Sequence, residues 1–293
     1  MKHILLIAAV LASVCLLACA PGRAEDGEGE EKKKQTEVEK ETKLRADMEE
    51  IIGADAEFKR TGPFLVAGHL GTAEMERCVG TVERSRKALH KQFFDKEPDV
   101  LYAVYLLPDH DKYDAFCMKF LGEHPSSKYG FYLPSRKSLV MNIGTGSGTL
   151  VHEMTHALME ADFPKVPTWF NEGLASLFEQ CTTEDGKIIG LVNWRLPILQ
   201  SALKDGSVIE WKKLVEFTGA SFYGDGSGLR YAEARYLCLW LQEKGKLETY
   251  YEKIRDGVEK DPKGLEALSA VLDGKMEEAE KEWREWAKGL KRD

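Results

Sequence analysis

The segment Val151-His152-Glu153-Met154-Thr155-His156 carries the H-E-x-x-H spacing, which can hold a metal ion. On a helix, side chains four residues apart stand one turn above each other, so both imidazoles project from one face. Leu150, Met154, Ala157 and Leu158 fall on the other side as an apolar stripe that would anchor the helix to a core. Zinc held by two histidines needs a third protein ligand, leaving the fourth position for water. Glu172 is the candidate, because residues 167–175 (P-T-W-F-N-E-G-L-A) open a second helix in which Glu172 emerges from the first turns. Thr168 is its expected N-cap, and Leu174, Leu177 and Phe178 its buried side. Between the helices, Phe163-Pro164-Lys165-Val166-Pro167 is a stiff connector suited to folding the second helix back onto the first. One zinc ion per chain is thus expected on His152, His156 and Glu172. Glu153 is placed to accept a proton from water and pass it to a leaving amine. His69, His90, His110 and His124 have no metal-like spacing.

The elements that must position these residues read as strands first and helices afterwards, an α+β arrangement in two lobes. Residues 62–67 read as a strand, 73–94 as an amphipathic helix, and 100–107 as a buried strand bounded by Pro98 and Pro108. Helical spacing returns over 111–121. Residues 129–133 and 138–143 read as two short strands joined by a hairpin-like turn. The glycine-rich run 144–148 then breaks the pattern before a helix beginning near Thr149.

H-E-M-T-H-A followed by P-T-W-F-N-E-G-L-A resembles the gluzincin clan of zinc peptidases, in particular the bacterial peptidase-MA-like families. The likeness extends over roughly residues 63–288 and is specific at the two zinc helices. It implies a zincin-like, thermolysin-like core of mixed sheet and active-site helix over 58–185, followed by a mainly helical lobe over 186–293. Residues 138–152, a strand and its glycine-rich lead-in, are similar to the edge strand that these families run beside the bound substrate, so a peptide backbone is expected to add to an edge strand near Ser138 to Ile143. Residues 231–237 resemble the later helix that begins with a catalytic tyrosine, which makes Tyr231 the expected oxyanion donor, with Tyr223 and Tyr236 in reserve. Residues 276–286 look like the closing helix of the same families. The chain departs from the related aminopeptidases at Val140-Met141-Asn142-Ile143, where it offers no acid for a substrate amine, so aminopeptidase action is not expected.

Composition bounds the partners. The chain has 293 residues with 49 acidic and 41 basic side chains, and no basic cluster is interleaved with aromatics. A peptide or protein substrate is expected, and no nucleic acid. Residues 1–19 read as an export signal with an apolar run too short to span a bilayer. Leu16-Leu17-Ala18-Cys19 resembles the lipobox of bacterial lipoproteins, so the only expected membrane contact is a lipid on Cys19; an ordinary cleaved signal is the alternative. The protein is therefore expected outside the cytoplasm, as a cell-envelope lipoprotein or else periplasmic or secreted. Residues 20–57, rich in Glu and Lys, read as a disordered, solvated tether in which Glu37, Lys40, Glu41 and Lys43 support at most a transient helix. Cys78, Cys117, Cys181 and Cys238 allow three pairings or none. The competing functional class is a catalytically idle, metal-stabilised binding module of the cell envelope. An intact Glu153 speaks for catalysis, because a structural metal site has no use for a base there.

Overall fold

Short apolar runs build the centre of the molecule. The computed structural model describes residues 25–292, and the signal and lipobox lie outside them. Five strands form one mixed sheet in the order β1-β2-β3-β5-β4. They are β1 (Glu57–Thr61), β2 (Phe64–Gly68), β3 (Tyr102–Leu107), β4 (Gly130–Leu133) and β5 (Ser138–Asn142). The three inner strands run parallel, with Phe64 opposite Tyr102 and Ala103 opposite Ser138. The two outer strands are antiparallel to their neighbours, and Leu133 faces Ser138 across the last pair. Every residue of β2, β3 and β5 is buried, as a strand covered on both faces must be.

Alternation along these strands sorts their side chains into two cores. Phe64, Val66, Tyr102, Val104, Leu106, Leu139 and Met141 face a large core shared with most of the helices. Leu65, Ala67, Ala103, Tyr105, Leu107 and Val140 face a smaller one closed by Tyr113, Phe116, Cys117, Phe120 and Met48. Met48 belongs to α1 (Glu25–Ile52), and Phe116 and Phe120 to α3 (His110–Leu121), which follows α2 (Thr72–Gln92). The start of α3 is fixed by Asp109, whose carboxylate accepts the Lys112 N–H at 2.8 Å.

After the sheet come α4 (Gly148–Asp162) and α5 (Thr168–Leu177), then a hairpin of β6 (Cys181–Glu184) and β7 (Lys187–Gly190). The remaining helices are α6 (Leu196–Asp205), α7 (Trp211–Leu214), α8 (Gly219–Tyr223), α9 (Ser227–Glu243), α10 (Leu247–Gly257), α11 (Leu265–Val271) and α12 (Met276–Gly289). Helix α5 is held at its end by Arg235 of α9. This guanidinium is fully buried and donates to the carbonyl oxygens of Ser176, Leu177 and Leu191, with no carboxylate partner among the described residues.

The fold is mixed α and β, as read from the sequence, but three details differ. Residues 25–52 are helical where a disordered tether is expected, and the last turns are ordered because Leu44, Met48 and Ile51 pack on the sheet. Lys43–Asp293 forms one unit, and residues before Lys43 count as another. The expected lobe boundary at 185/186 falls in the turn of the β6–β7 hairpin, and one core runs from Phe64 to Ala287, so the two expected lobes are a single body. The strand at 138–142 is an inner strand, and β4 is the edge. The four folded-part cysteines are unpaired, and three of them are buried.

Candidate metal centre

The helix that carries the histidines is fixed by what it buries. Leu150, Met154, Ala157 and Leu158 are all 0 % exposed, and burying such larger side chains contributes roughly 1.5–3 kcal/mol each. At its start, a side-chain carbon on Gly148 would lie 2.2 Å from the Glu179 carbonyl oxygen, so only glycine admits this approach. The opposite face presents His152 and His156, whose ring centroids are 4.7 Å apart.

Glu172 reaches them from α5. Gly173, beside it, lets α5 press against α9, since an added carbon there would meet the Ala234 carbonyl oxygen at 2.8 Å. Thr168 does not cap this helix: Pro167 holds the N-cap position and no side-chain cap bond forms. The Nε2 atoms of His152 and His156 are 3.0 Å apart, and Glu172 Oε2 lies 3.5 Å from each. That buried oxygen has no hydrogen-bond partner. One point in the plane of the three atoms is about 1.9 Å from all of them, so a tetrahedral ion with zinc-like bonds of about 2.0–2.2 Å fits slightly off that plane. The buried His-Glu-x-x-His group can therefore hold a metal ion. Glu153 also offers an oxygen within 4.8 Å of both histidine donors. The closer Glu172 is the better third donor, because Glu153 Oε2 already accepts the Tyr132 backbone N–H at 3.0 Å.

Outer contacts orient the rings. His156 Nδ1 is 2.9 Å from Asn171 Oδ1, which requires the proton on Nδ1 and leaves the Nε2 lone pair facing the centre. His152 Nδ1 lies 3.4 Å from Glu179 Oε1. Glu179 is itself gripped by Arg195, through Nε at 2.9 Å and Nη2 at 2.7 Å, and by the Asn193 amide at 3.0 Å. Glu179, Arg195 and Asn193 are not signalled by the motif. A weak cue exists for Glu179, which follows Glu172 by seven residues, two helical turns on, although α5 itself stops at Leu177.

The electrostatics favour a cation. Burial opposes charge on His152, yet the nearby carboxylates of Glu172 and Glu179, at 3.5 and 3.4 Å, outweigh it and push the ring up to about 10. Burial likewise opposes charge on Glu172, but His156 and His152 hold the carboxyl well below its usual range. Glu179 is brought down to about 2, because Arg195 and His152 overcome its burial. Glu153 is raised, mainly by burial. The carboxylates around the two imidazoles thus demand positive charge between them, as protons or as a metal ion.

These groups line a cleft of about 640 Å³. Tyr231 lies in its wall with its ring 5.2 Å from that of Phe222 and under the Arg195 guanidinium at 4.8 Å. Tyr223 shares the wall, and its hydroxyl donates to Glu172 Oε1 at 2.7 Å. Both phenols are raised, first by burial and then by the Glu172 charge, so they stay protonated donors. Tyr236 is outside the site: its buried hydroxyl is bound to the backbone of Asn193. The other histidines also lie elsewhere, His69 beside Asp55 and His124 beside Asp114. No protein-family model matches the chain, and no curated protein matches it either.

Proposed function

We propose that the chain is a zinc-dependent metallopeptidase of the gluzincin type. One observation carries the reading: the His152, His156 and Glu172 donor atoms converge at ligand spacing beside a desolvated Glu153, one oxygen of which is held by the Tyr132 N–H. The sheet with its antiparallel edge strand β4 next to the metal helix supports a zincin-like core. His152, His156 and Glu172 would hold the ion. Bound there, zinc supplies Lewis acidity to water and to the scissile carbonyl.

The protein's own residues do the rest. The substrate lies extended along β4, where Phe131 and Tyr132 border the cleft. Glu153 accepts a proton from water and returns it to the departing amine. Desolvation raises its basicity, and the Tyr132 N–H fixes one oxygen while the other stays free. Tyr231 donates its O–H to the developing oxyanion, and Tyr223 keeps Glu172 oriented from the other side. Arg195 and Glu179 hold the His152 ring.

Localisation enters the same reading: the protein acts outside the cytoplasm, tethered by a lipid on Cys19. No helix among the described residues is long and apolar enough to cross a membrane.

Metal analysis and casein hydrolysis test the proposal. Wild type should carry about one zinc per chain and cleave casein. His156→Ala should lose the metal. Glu153→Gln should keep metal and fold while activity falls by a factor of about 10² to 10⁴. Undiminished cleavage by Glu153→Gln, with contaminating proteases excluded, would refute the mechanism. A zinc-loaded wild type with no hydrolysis would favour the idle binding module.

A further inference from the structure

The cleft does not end at the metal residues. Beside it lies a second compartment of about 740 Å³, and the two share Tyr129, Thr149, Glu179 and Trp194 as common wall. The peptidase reading leaves this space without a task. Its floor is the start of α4, where Gly146, Ser147, Gly148 and Thr149 line the cavity. The N-cap Ser147 makes no side-chain bond to the helix, so the first-turn N–H groups of this 15-residue helix, whose starting residues line the compartment, have no side-chain cap. That alone is a weak attraction for negative charge.

Ser85 of α2 adds an independent cue. It is only 5 % exposed, it lines this compartment, and its hydroxyl makes no hydrogen bond among the described residues. The hydroxyl oxygen is not among the sealed, unpaired buried atoms, so it is accessible to a group in the cavity and free to pair with one. Beside it Arg84 is the one cation of the described wall, and its side chain donates to the Thr81 hydroxyl at 3.4 Å. The single acid is Glu179, whose charge is tied to Arg195 and Asn193. Around them stand uncharged hydroxyls, among them Thr145, Thr149 and Thr182. Uncapped N–H groups, a waiting hydroxyl and a guanidinium suit a carboxylate.

Distance says which carboxylate. His152 lies four residues along α4 from Gly148, a rise of about 6 Å, or roughly two residues of extended chain. A chain end held at the helix start therefore lies about one to three residues beyond a peptide bond next to Glu153. Such a chain runs from Pro134, at the far part of the first compartment, towards Tyr129 at the shared wall. That is antiparallel to β4, the more stable direction of strand pairing.

We propose that the second compartment binds the C-terminal carboxylate of the peptide substrate, so that the protein releases short fragments from C-terminal ends. This rests on the peptidase reading. In each turnover water's oxygen joins the acyl carbon, the C–N bond breaks, and water's proton goes to the leaving amine by way of Glu153. The N-terminal product keeps a new carboxylate.

The test compares a fluorescein-labelled hexapeptide ending in a free carboxylate with the same peptide ending in an amide. Binding is read by fluorescence polarisation on the zinc-loaded full chain carrying Glu153→Gln. The free acid should bind at least tenfold tighter. Adding Arg84→Ala and Ser85→Ala should erase the difference while tryptophan fluorescence shows the fold intact. Mass spectrometry of wild-type digests supplies a second readout, in which the first products should be fragments of one to three residues from the C-terminus. Equal binding of acid and amide, a preference that survives the double substitution, or first cuts in the chain interior would each overturn the proposal. A carboxylate preference without hydrolysis by wild type would uphold the compartment and overturn the peptidase reading instead.

Discussion

Glu179→Gln separates metal tuning from mere packing. In the native protein both Glu179 oxygens are engaged, by Arg195 at 2.7 and 2.9 Å and by Asn193 at 3.0 Å, while Oε1 also faces His152 Nδ1 at 3.4 Å. The amide keeps the shape and one acceptor but loses the charge that favours a proton on Nδ1 and an open lone pair on Nε2. Removing such a partner weakens metal affinity by about 10- to 100-fold. Stability should also fall, since breaking a buried pair costs about 3–5 kcal/mol; Arg195 is 18 % exposed and the amide keeps one acceptor, so the low end applies. Zinc affinity is measured by competition with a chelator, and stability by urea unfolding of metal-free protein. Affinity in the variant within threefold of wild type, with stability lowered, would show that Glu179 braces Arg195 and does nothing for the metal.

Three further outcomes are expected. Tyr231→Phe should lower turnover by about 10² to 10³ with metal content unchanged, and a loss no larger than that of a distant Tyr→Phe control would remove Tyr231 from the site. Glu233 is buried, its Oε2 is unpaired, and burial raises its carboxyl to about 8. Between about pH 4.5 and 8 the unfolded chain has released this proton while the folded chain keeps it, so stability declines as pH rises through that window; Glu233→Gln should flatten the slope in pH-dependent urea unfolding, and an unchanged slope would refute the assignment. Cys19→Ser should move the protein from the membrane fraction to the soluble one, whereas a wild type already soluble would favour the ordinary cleaved signal.

Legibility followed the strength of the periodic signal. The runs at 102–107 and 138–142 are buried throughout, the second around an apolar centre of Leu139, Val140 and Met141, and both strands lie where expected. Strand β1, Glu57-Phe58-Lys59-Arg60-Thr61, was invisible because a half-buried edge strand needs little apolar content and gains its place by pairing with β2. Which strand forms the edge depends on topology, and the alternation within Ser138 to Asn142 holds no information about its neighbours. The same limit hid Asn193 and Arg195. Their part comes from the chain returning after the β6–β7 hairpin, a long-range contact without local spacing. His152, Glu153 and His156 were legible because helical geometry alone brings them together. The helical 25–52 segment was missed in its last turns because a few apolar residues, Leu44, Met48 and Ile51, are enough to dock when a sheet face awaits them.

The close approach at Gly148 widens the set of positions at which this centre can be lost. That glycine bears no reacting atom, yet the backbone it touches belongs to Glu179, so the start of the histidine helix and the partner of His152 share one contact. A methyl group there would have to displace either the helix or the Glu179 backbone, and with it the alignment of imidazole and carboxylate. If the centre holds a metal as proposed, Gly148 should therefore tolerate inherited variation as poorly as the histidines themselves, and a descendant without that metal would be free to accumulate side chains at this position first.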